Sequence, residues 1–318
     1  MTGASPLVVV ADPIDAAAVQ KLRGGPCRVV EATGGEADLA AHLPEAWGLI
    51  VRSRTKVTRA LLERAPHLSV VARAGVGVDN VDVPVATERK VRVVNAPTAA
   101  TASVAELTVG LLLMLGRNLF ERVRATKAGE WKRSENGFEL QGRTVGFVGY
   151  GRIARETARR LQPFRVRTIA HDPFVTGAVD ATELLPLDEV LARSDYVSLH
   201  AALTPANHHL LNATRFAQMH RGAYVVNVAR GPLIDEEALL AALDSGHLAG
   251  AALDVFEVEP PTRTLLLQHP KVIATPHLGA STHEAQRRAG EQVVDEVLRA
   301  LRGEPLQSLV NPDVGASA

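Results

Sequence analysis

The sequence predicts an α/β protein of two Rossmann-like lobes, each a parallel sheet with helices on both faces, and two observations carry that prediction. From mid-chain onward six apolar, β-branched runs follow one another at 144–148, 166–170, 196–199, 223–228, 249–254 and 272–275, with helix-patterned stretches at 151–162, 186–193, 212–220 and 235–246 between most of them. Alternation of this kind, with near-continuous apolar strands, is the mark of a sheet buried on both faces. Residues ahead of 100 repeat the grammar on a smaller scale, runs at 7–10, 48–51, 69–72 and 91–94 alternating with helix-like segments at 14–22, 36–42 and 58–64.

The elements read in order as follows. The opening strand ends at Asp12-Pro13 and carries no glycine fingerprint. Ser103-Val104-Ala105-Glu106 has the form of a capping box, opening a helix to about Leu119. Its body, Leu107 to Leu115, is apolar nearly all round, which suits a core helix, a subunit interface or both. Ser281-Thr282-His283-Glu284 repeats the capping pattern ahead of a helix to about Leu301. The tail from Gly303 lacks periodicity and is expected to end in a flexible Val-Gly-Ala-Ser-Ala.

The second lobe opens with Thr144-Val-Gly-Phe-Val-Gly-Tyr-Gly-Arg-Ile-Ala154. Gly149, Gly151 and Ala154 fill a G-x-G-x-x-G/A pattern between strand and helix. Gly149 suits a tight turn, Gly151 a close backbone approach to a pyrophosphate, and Ala154 close packing of helix on strand. The helix N-terminus at Arg152 and Ile153 then offers backbone N–H groups to the phosphates. Asp172 lies 23 residues beyond Gly149 at the next strand end, placed to accept from ribose hydroxyls. An Asp there repels a 2′-phosphate, and His171-Asp172-Pro173-Phe174 brings no nearby cation, so NAD is the expected cofactor.

Composition narrows the partners. Lys plus Arg and Asp plus Glu both total 35, which points away from nucleic acid and anionic membranes. Aromatic content of 4% argues against base-stacking platforms. A single cysteine, Cys27, rules out an internal disulfide framework and fits a reducing, cytoplasmic setting. The opening run Leu7 to Ala11 is too short for a signal segment, and Val109 to Leu115 is too short to span a bilayer. His208, His209 and His220 lack a ligand pattern, so no metal is expected.

Three later segments sit where an open α/β sheet binds its ligands, at the carboxyl ends of strands. Val226 to Gly231 ends in Arg230, able to hold a carboxylate by paired charge-assisted hydrogen bonds. In Leu253 to Pro261, consecutive prolines keep Glu259 out of a helix. Ala274 to Ser281 carries His277. An anion clamp, a proton acceptor and a group to orient it are what hydride transfer at a 2-hydroxy acid needs.

These segments resemble the D-isomer-specific 2-hydroxyacid dehydrogenases, most closely the D-3-phosphoglycerate dehydrogenase branch. The likeness runs through Arg73 to Asp82, the glycine turn, Asn227 to Asp235, Gly250 to Pro261, and Pro276 to Gln286. It implies catalytic roles for Arg230, Glu259 and His277, with Glu259 favouring the protonated ring of His277. It further implies cofactor contacts from Ala229, Asp254 (to the nicotinamide amide) and Gly279, and substrate-carboxylate binding by the Val76 and Gly77 amides. Arg52, Ser53 and Arg54 match the phosphate-side segment, with Lys132 and Arg133 as weaker candidates. The implied organisation is a discontinuous substrate lobe, 1–98 plus 286–318, with an NAD-binding lobe, 99–285, inserted into it and forming homodimers. The implied reaction is NAD-dependent oxidation of 3-phosphoglycerate to 3-phosphohydroxypyruvate, as in serine biosynthesis. Because the chain stops soon after the return helix, no regulatory domain is expected.

The match departs in two places. Ala100 stands where the branch carries an Asn near the substrate, and Ala201-Ala202 replaces a proline-containing loop after Leu199-His200. Two alternatives therefore stay open: a reductase for hydroxypyruvate, glyoxylate or another 2-oxo acid, and a non-enzymatic NADH-responsive binding protein.

Overall fold

Short valine-rich stretches set the first sheet. In this computed structural model, which describes residues 5–131, 136–176, 180–262 and 264–314, strands β1 (Leu7–Val10), β2 (Arg28–Glu31), β3 (Ala46–Val51), β4 (Val70–Arg73) and β5 (Arg92–Asn95) pair in parallel in the order β2-β1-β3-β4-β5. Their β-branched side chains fit a pleated sheet and alternate between two apolar layers, Val9, Leu49 and Val71 on one side and Val8, Val10 and Ile50 on the other. Helices α1 (Ala16–Arg23), α2 (Glu36–His42), α3 (Arg59–Glu63) and α4 (Val83–Glu88) connect these strands. β2 and α4 are not among the expected elements; β2 is an edge strand with exposed ends, so only its two central valines carry an apolar signal.

The second sheet is seven-stranded. Strands β6 (Thr144–Val148), β7 (Arg167–His171), β8 (Glu183–Leu184), β9 (Tyr196–Leu199), β10 (Ala223–Asn227), β11 (Leu248–Leu253) and β12 (Val272–Ala274) lie in the order β12-β11-β10-β9-β6-β7-β8. Chain order reverses at β6, so the crevice beside its carboxyl end is the place for a dinucleotide. Helix α5 (Thr101–Gly116) packs on α7 (Arg152–Leu161), with α6 (Leu119–Lys127) between them in sequence; α8 (Leu187–Arg193), α9 (Ala213–Gln218), α10 (Glu236–Asp244), α11 (Thr264–Gln268) and α12 (His283–Arg302) follow.

Both capping boxes are corrected. α5 begins at Thr101, so Ser103 lies buried inside the helix rather than at its start. The helix also ends at Gly116 instead of near Leu119. A side chain on Gly116 would strike the Tyr196 hydroxyl at 2.6 Å, and the chain turns through a left-handed Asn118 into α6. At α12 the cap is Thr282, whose side chain accepts from the Ala285 amide at 3.1 Å, one residue later than the Ser281 pattern.

Two units result, Met1–Ala100 with Ala280–Ala318, and Thr101–Gly279. The cuts fall at 100/101 and 279/280 rather than at the expected 98/99 and 285/286. The segment ahead of α12 goes with unit 1 because α12 packs on α1, where Gly290 brings the backbones close; a Cβ there would stand 3.0 Å from that of Ala18. The tail, which shows no periodicity, is nonetheless pinned to β5. Asn311 accepts from the Val93 amide and donates to the Val91 carbonyl, and Val310 donates to the Val93 carbonyl. Its last residues, 315–318, lie outside the described residues. No single helix among those described is long and apolar enough to cross a membrane.

Candidate active site

Strand register aligns the glycine turn with its partners. Val148 pairs with His171 on one side and Leu199 on the other, so Gly149, Asp172 and His200 leave the sheet at the same level. Gly149 has φ +86°, and a Cβ on it would stand 2.6 Å from the Ala201 amide nitrogen. Only glycine fits that turn. Gly151 has ordinary φ, −82°, and no atom within 4 Å of where its Cβ would be. It therefore borders open space at the start of α7, whose N-terminus no side chain caps. Ala154 is fully buried.

Asp172 clasps this turn. Its Oδ2 accepts from the Tyr150 amide at 2.7 Å and its Oδ1 from the Phe174 amide at 2.9 Å. A carboxylate has about four acceptor positions, so two remain for ribose hydroxyls. The following residues Pro173 to Thr176 bring no cation. An open glycine cradle, an uncapped helix start and a carboxylate at the next strand end together fit a dinucleotide without a 2′-phosphate. Phe174, two residues past Asp172, is 93% exposed, an aromatic face that the sequence reading passed over. His200 lies at the opposite flank, its Nε2 2.8 Å from the Ser198 hydroxyl; burial pushes its pKa down to about 3, so the ring is neutral at working pH.

The second cluster forms the same way. Asn227 pairs with Leu253, and Leu253 with Ala274, which brings Arg230, Asp254 and His277 to one edge. His277 Nδ1 lies 2.9 Å from Glu259 Oε2, and both side chains are partly open, at 52% and 39%. Glu259 Oε1 also accepts from the Phe256 amide at 3.2 Å, fixing the carboxylate. His277 has φ +54°, a left-handed conformation that a non-glycine residue adopts only when its surroundings impose it. Asp254 imposes it. Only 1% exposed, its carboxylate accepts from the Thr275 hydroxyl (2.6 Å), the Leu278 amide (2.7 Å) and the Gly279 amide (2.8 Å), while its carbonyl accepts from the His277 amide. This loop-holding use of Asp254 was not legible in the sequence.

Arg230 stands on a loop braced by Asn227. That buried side chain accepts from the Ala229 amide at 3.0 Å and donates to the Arg230 carbonyl at 2.9 Å. Gly231 then presses on the Phe256 backbone, where a Cβ would fall 1.8 Å from the carbonyl carbon. The Arg230 and Glu259 loops are thereby packed backbone to backbone. Glu236 and Glu257 add a reciprocal tie, each carboxylate accepting the other's amide at 2.7 and 3.0 Å. An Asn ending an apolar strand is the signal that could have revealed Asn227.

In unit 1, Val76 and Gly77 follow β4 on a loop held by Asn95, which donates to the Val76 carbonyl at 2.6 Å. Ser53 is exposed. Arg54 is largely committed inward, donating from Nε to Asp12 and from Nη2 to the Ala11 and Thr33 carbonyls. Arg52 uses its amide on Asp12 and Nη1 on the Pro13 carbonyl. Burial raises the Asp12 carboxyl, but bonds from Thr55, Arg52 and Arg54 outweigh it and hold the group below the usual carboxylate range. Asp12, which stands after β1 where a glycine fingerprint is missing, thus organises the loop after β3. Ala100 is buried at the end of this unit's first segment. Lys132 and Arg133 lie outside the described residues.

Comparison with known proteins points one way. The profile of the family described as D-isomer specific 2-hydroxyacid dehydrogenase, NAD binding domain, matches residues 109–279. A D-3-phosphoglycerate dehydrogenase of Homo sapiens is 43% identical over 98% of this chain, and the chain spans 59% of that protein's length. A hydroxypyruvate reductase of Thermotoga maritima is 43% identical over 92% of this chain and 98% of its own. The solved structure of an NAD-dependent formate dehydrogenase from Staphylococcus aureus in complex with NAD superposes with a TM-score of 0.83 at 33% identity, covering 96% of this chain and 98% of that one.

Proposed function

The chain belongs to the D-isomer specific 2-hydroxyacid dehydrogenase family, and from that premise we propose that it oxidises a D-2-hydroxy acid reversibly, with 3-phosphoglycerate as the substrate. The observation that carries the reaction is the 2.9 Å contact of His277 with Glu259 beside the braced Arg230 loop. Bound NAD⁺ supplies the acceptor for the C2 hydrogen, taken as hydride and returned in the reverse direction. Gly149, Gly151, the amides of Arg152 and Ile153, and Asp172 would hold it, with Ala229, Asp254 and Gly279 at the nicotinamide end.

Arg230 holds the substrate carboxylate and C2 oxygen by charge-assisted hydrogen bonds. His277 has Nδ1 turned to Glu259, which leaves Nε2 to take the hydroxyl proton; in reduction the imidazolium returns it to the forming alkoxide. Glu259 orients the ring and stabilises its positive charge while the proton resides there.

The substrate roles of Val76 and Gly77, and the phosphate roles of Arg52, Ser53 and Arg54, rest on the family resemblance. The inward commitment of Arg54 makes Arg52 the first of these to test. A homodimer is supported by apolar side chains exposed on unit 2, with Leu119, Phe120 and Val123 on α6 and Phe138 beyond it, and sedimentation of the purified chain tests it. The one cysteine, Cys27, is free, which accords with a cytoplasmic location.

A reductase acting on hydroxypyruvate or glyoxylate is the second reading, favoured by Ala100 and by the end-to-end likeness to the Thermotoga maritima protein. NADH consumption with 3-phosphohydroxypyruvate, hydroxypyruvate, glyoxylate and pyruvate at equal concentration separates the two. Preference for the phosphorylated acid is the expected result; preference for an unphosphorylated one selects the second reading. Silence on all four with NADH bound would return the chain to the binding-protein class.

A further inference from the structure

Unit 1 carries an open crevice of about 480 Å³ whose walls include neither Arg52 nor Val76 nor Gly77. Its position follows from topology. In the order β2-β1-β3-β4-β5 the chain leaves β1 for one side and returns to β3 on the other. The loops after β1 and β3 therefore part, and a crevice opens outside their carboxyl ends, the switch point at which open α/β sheets bind ligands. Ala11, directly after β1, and Arg54, after β3, both line it.

The lining is apolar below and cationic above. Leu39 on α2, Leu43 just beyond it and Leu61 on α3 supply hydrocarbon, and Leu39 and Leu43 are otherwise buried. Lys56 and Arg64 are exposed and have no carboxylate partner among the described residues. Arg54 is a fixed strut, its charge answered by Asp12. Glu36 stands on the same wall. Two open cations against one carboxylate favour a single negative charge and disfavour a dianion. The volume lies within the usual range for small-molecule pockets, about 300–1,000 Å³.

We propose that this crevice is a second ligand site, for a small monoanion with an apolar body: a carboxylate carrying a compact ring or branched hydrocarbon. It shares only Arg54 with the residues named for the dehydrogenase reaction above, and the guanidinium of Arg54 is already bonded to Asp12 and to the Ala11 and Thr33 carbonyls.

Phenylacetate is the probe, read by methyl NMR on the full chain labelled at leucine, with benzyl alcohol and phenyl phosphate for comparison. The expected result is saturable movement of the Leu39, Leu43 and Leu61 methyls with phenylacetate, and at least tenfold weaker binding of the other two compounds. Lys56→Ala/Arg64→Ala should weaken phenylacetate tenfold or more while NADH binding and turnover stay unchanged. Unmoved leucine methyls would overturn the site. Equal affinity for benzyl alcohol, or full affinity in the double variant, would overturn anion recognition. Binding abolished by Arg230→Leu, with those leucines still, would assign the carboxylate to Arg230 and refute the proposal.

Discussion

Alanine substitutions at Gly149 and Gly151 should fail in opposite ways. In Gly149→Ala the new Cβ meets the Ala201 backbone at 2.6–2.7 Å, and φ is +86°. The left-handed conformation costs an L-residue about 1–2 kcal/mol. Forcing a methyl against backbone adds about 1–3 kcal/mol more. The sum, about 2–5 kcal/mol, is a large share of a domain's stability of about 5–15 kcal/mol. Gly151→Ala meets nothing within 4 Å and needs no unusual φ, so stability should hold or rise by about 0.4–1 kcal/mol. Its methyl instead occupies the space through which a pyrophosphate approaches, and NADH affinity should fall tenfold or more, about 1.4 kcal/mol. Urea denaturation and fluorescence titration with NADH separate the two effects. If Gly151→Ala bound NADH like the parent, the pyrophosphate would not lie on this turn. Undiminished stability in Gly149→Ala would refute the steric reasoning.

Three further outcomes are expected. Glu259→Gln, which keeps the size of the side chain but removes its charge, should lower kcat by about 10- to 100-fold, part of the 10²–10⁴ that general acid–base catalysis supplies, with NADH binding unchanged; full turnover would remove the pair from the mechanism. Phe174→Ala should raise the NADH Kd at least fivefold, the low end of the about 1–3 kcal/mol that stacking on a base contributes, without altering stability, since the ring is exposed; an unchanged Kd would mean the adenine lies elsewhere. His200, with its pKa pushed down to about 3, binds fewer protons folded than unfolded below pH 6.5. The stability it contributes is complete above that pH and is lost as pH falls toward 3, by at most about 1.4 kcal/mol per pH unit. Urea midpoints for the parent and His200→Gln should therefore diverge only below pH 6.5, and parallel curves would count against a buried neutral ring.

Much of this protein is written locally. The glycine turn, the strand-end Asp172 and the terminal positions of Arg230 and His277 are legible because each depends on neighbours within a few residues. Near-continuous valine-rich runs, and the helices between them, likewise declare a parallel sheet without reference to the rest of the chain. What the sequence leaves open depends on partners far along it. Ser103 has the local form of a helix cap, yet the helix starts earlier; short β2 becomes a strand because β1 lies beside it. The tail binds β5 through Asn311, 218 residues from the Val93 amide it accepts. Asp254 holds His277 in a left-handed turn across 21 to 25 residues, and Arg54 turns inward to an Asp12 that lies 42 residues away. The sequence by itself determined the fold class and which side chains stand at the strand ends, because both follow from backbone pattern and local chemistry. Tertiary structure alone decided how those side chains are held, because a hydrogen bond or packed backbone that closes a long loop leaves no local trace in composition or spacing.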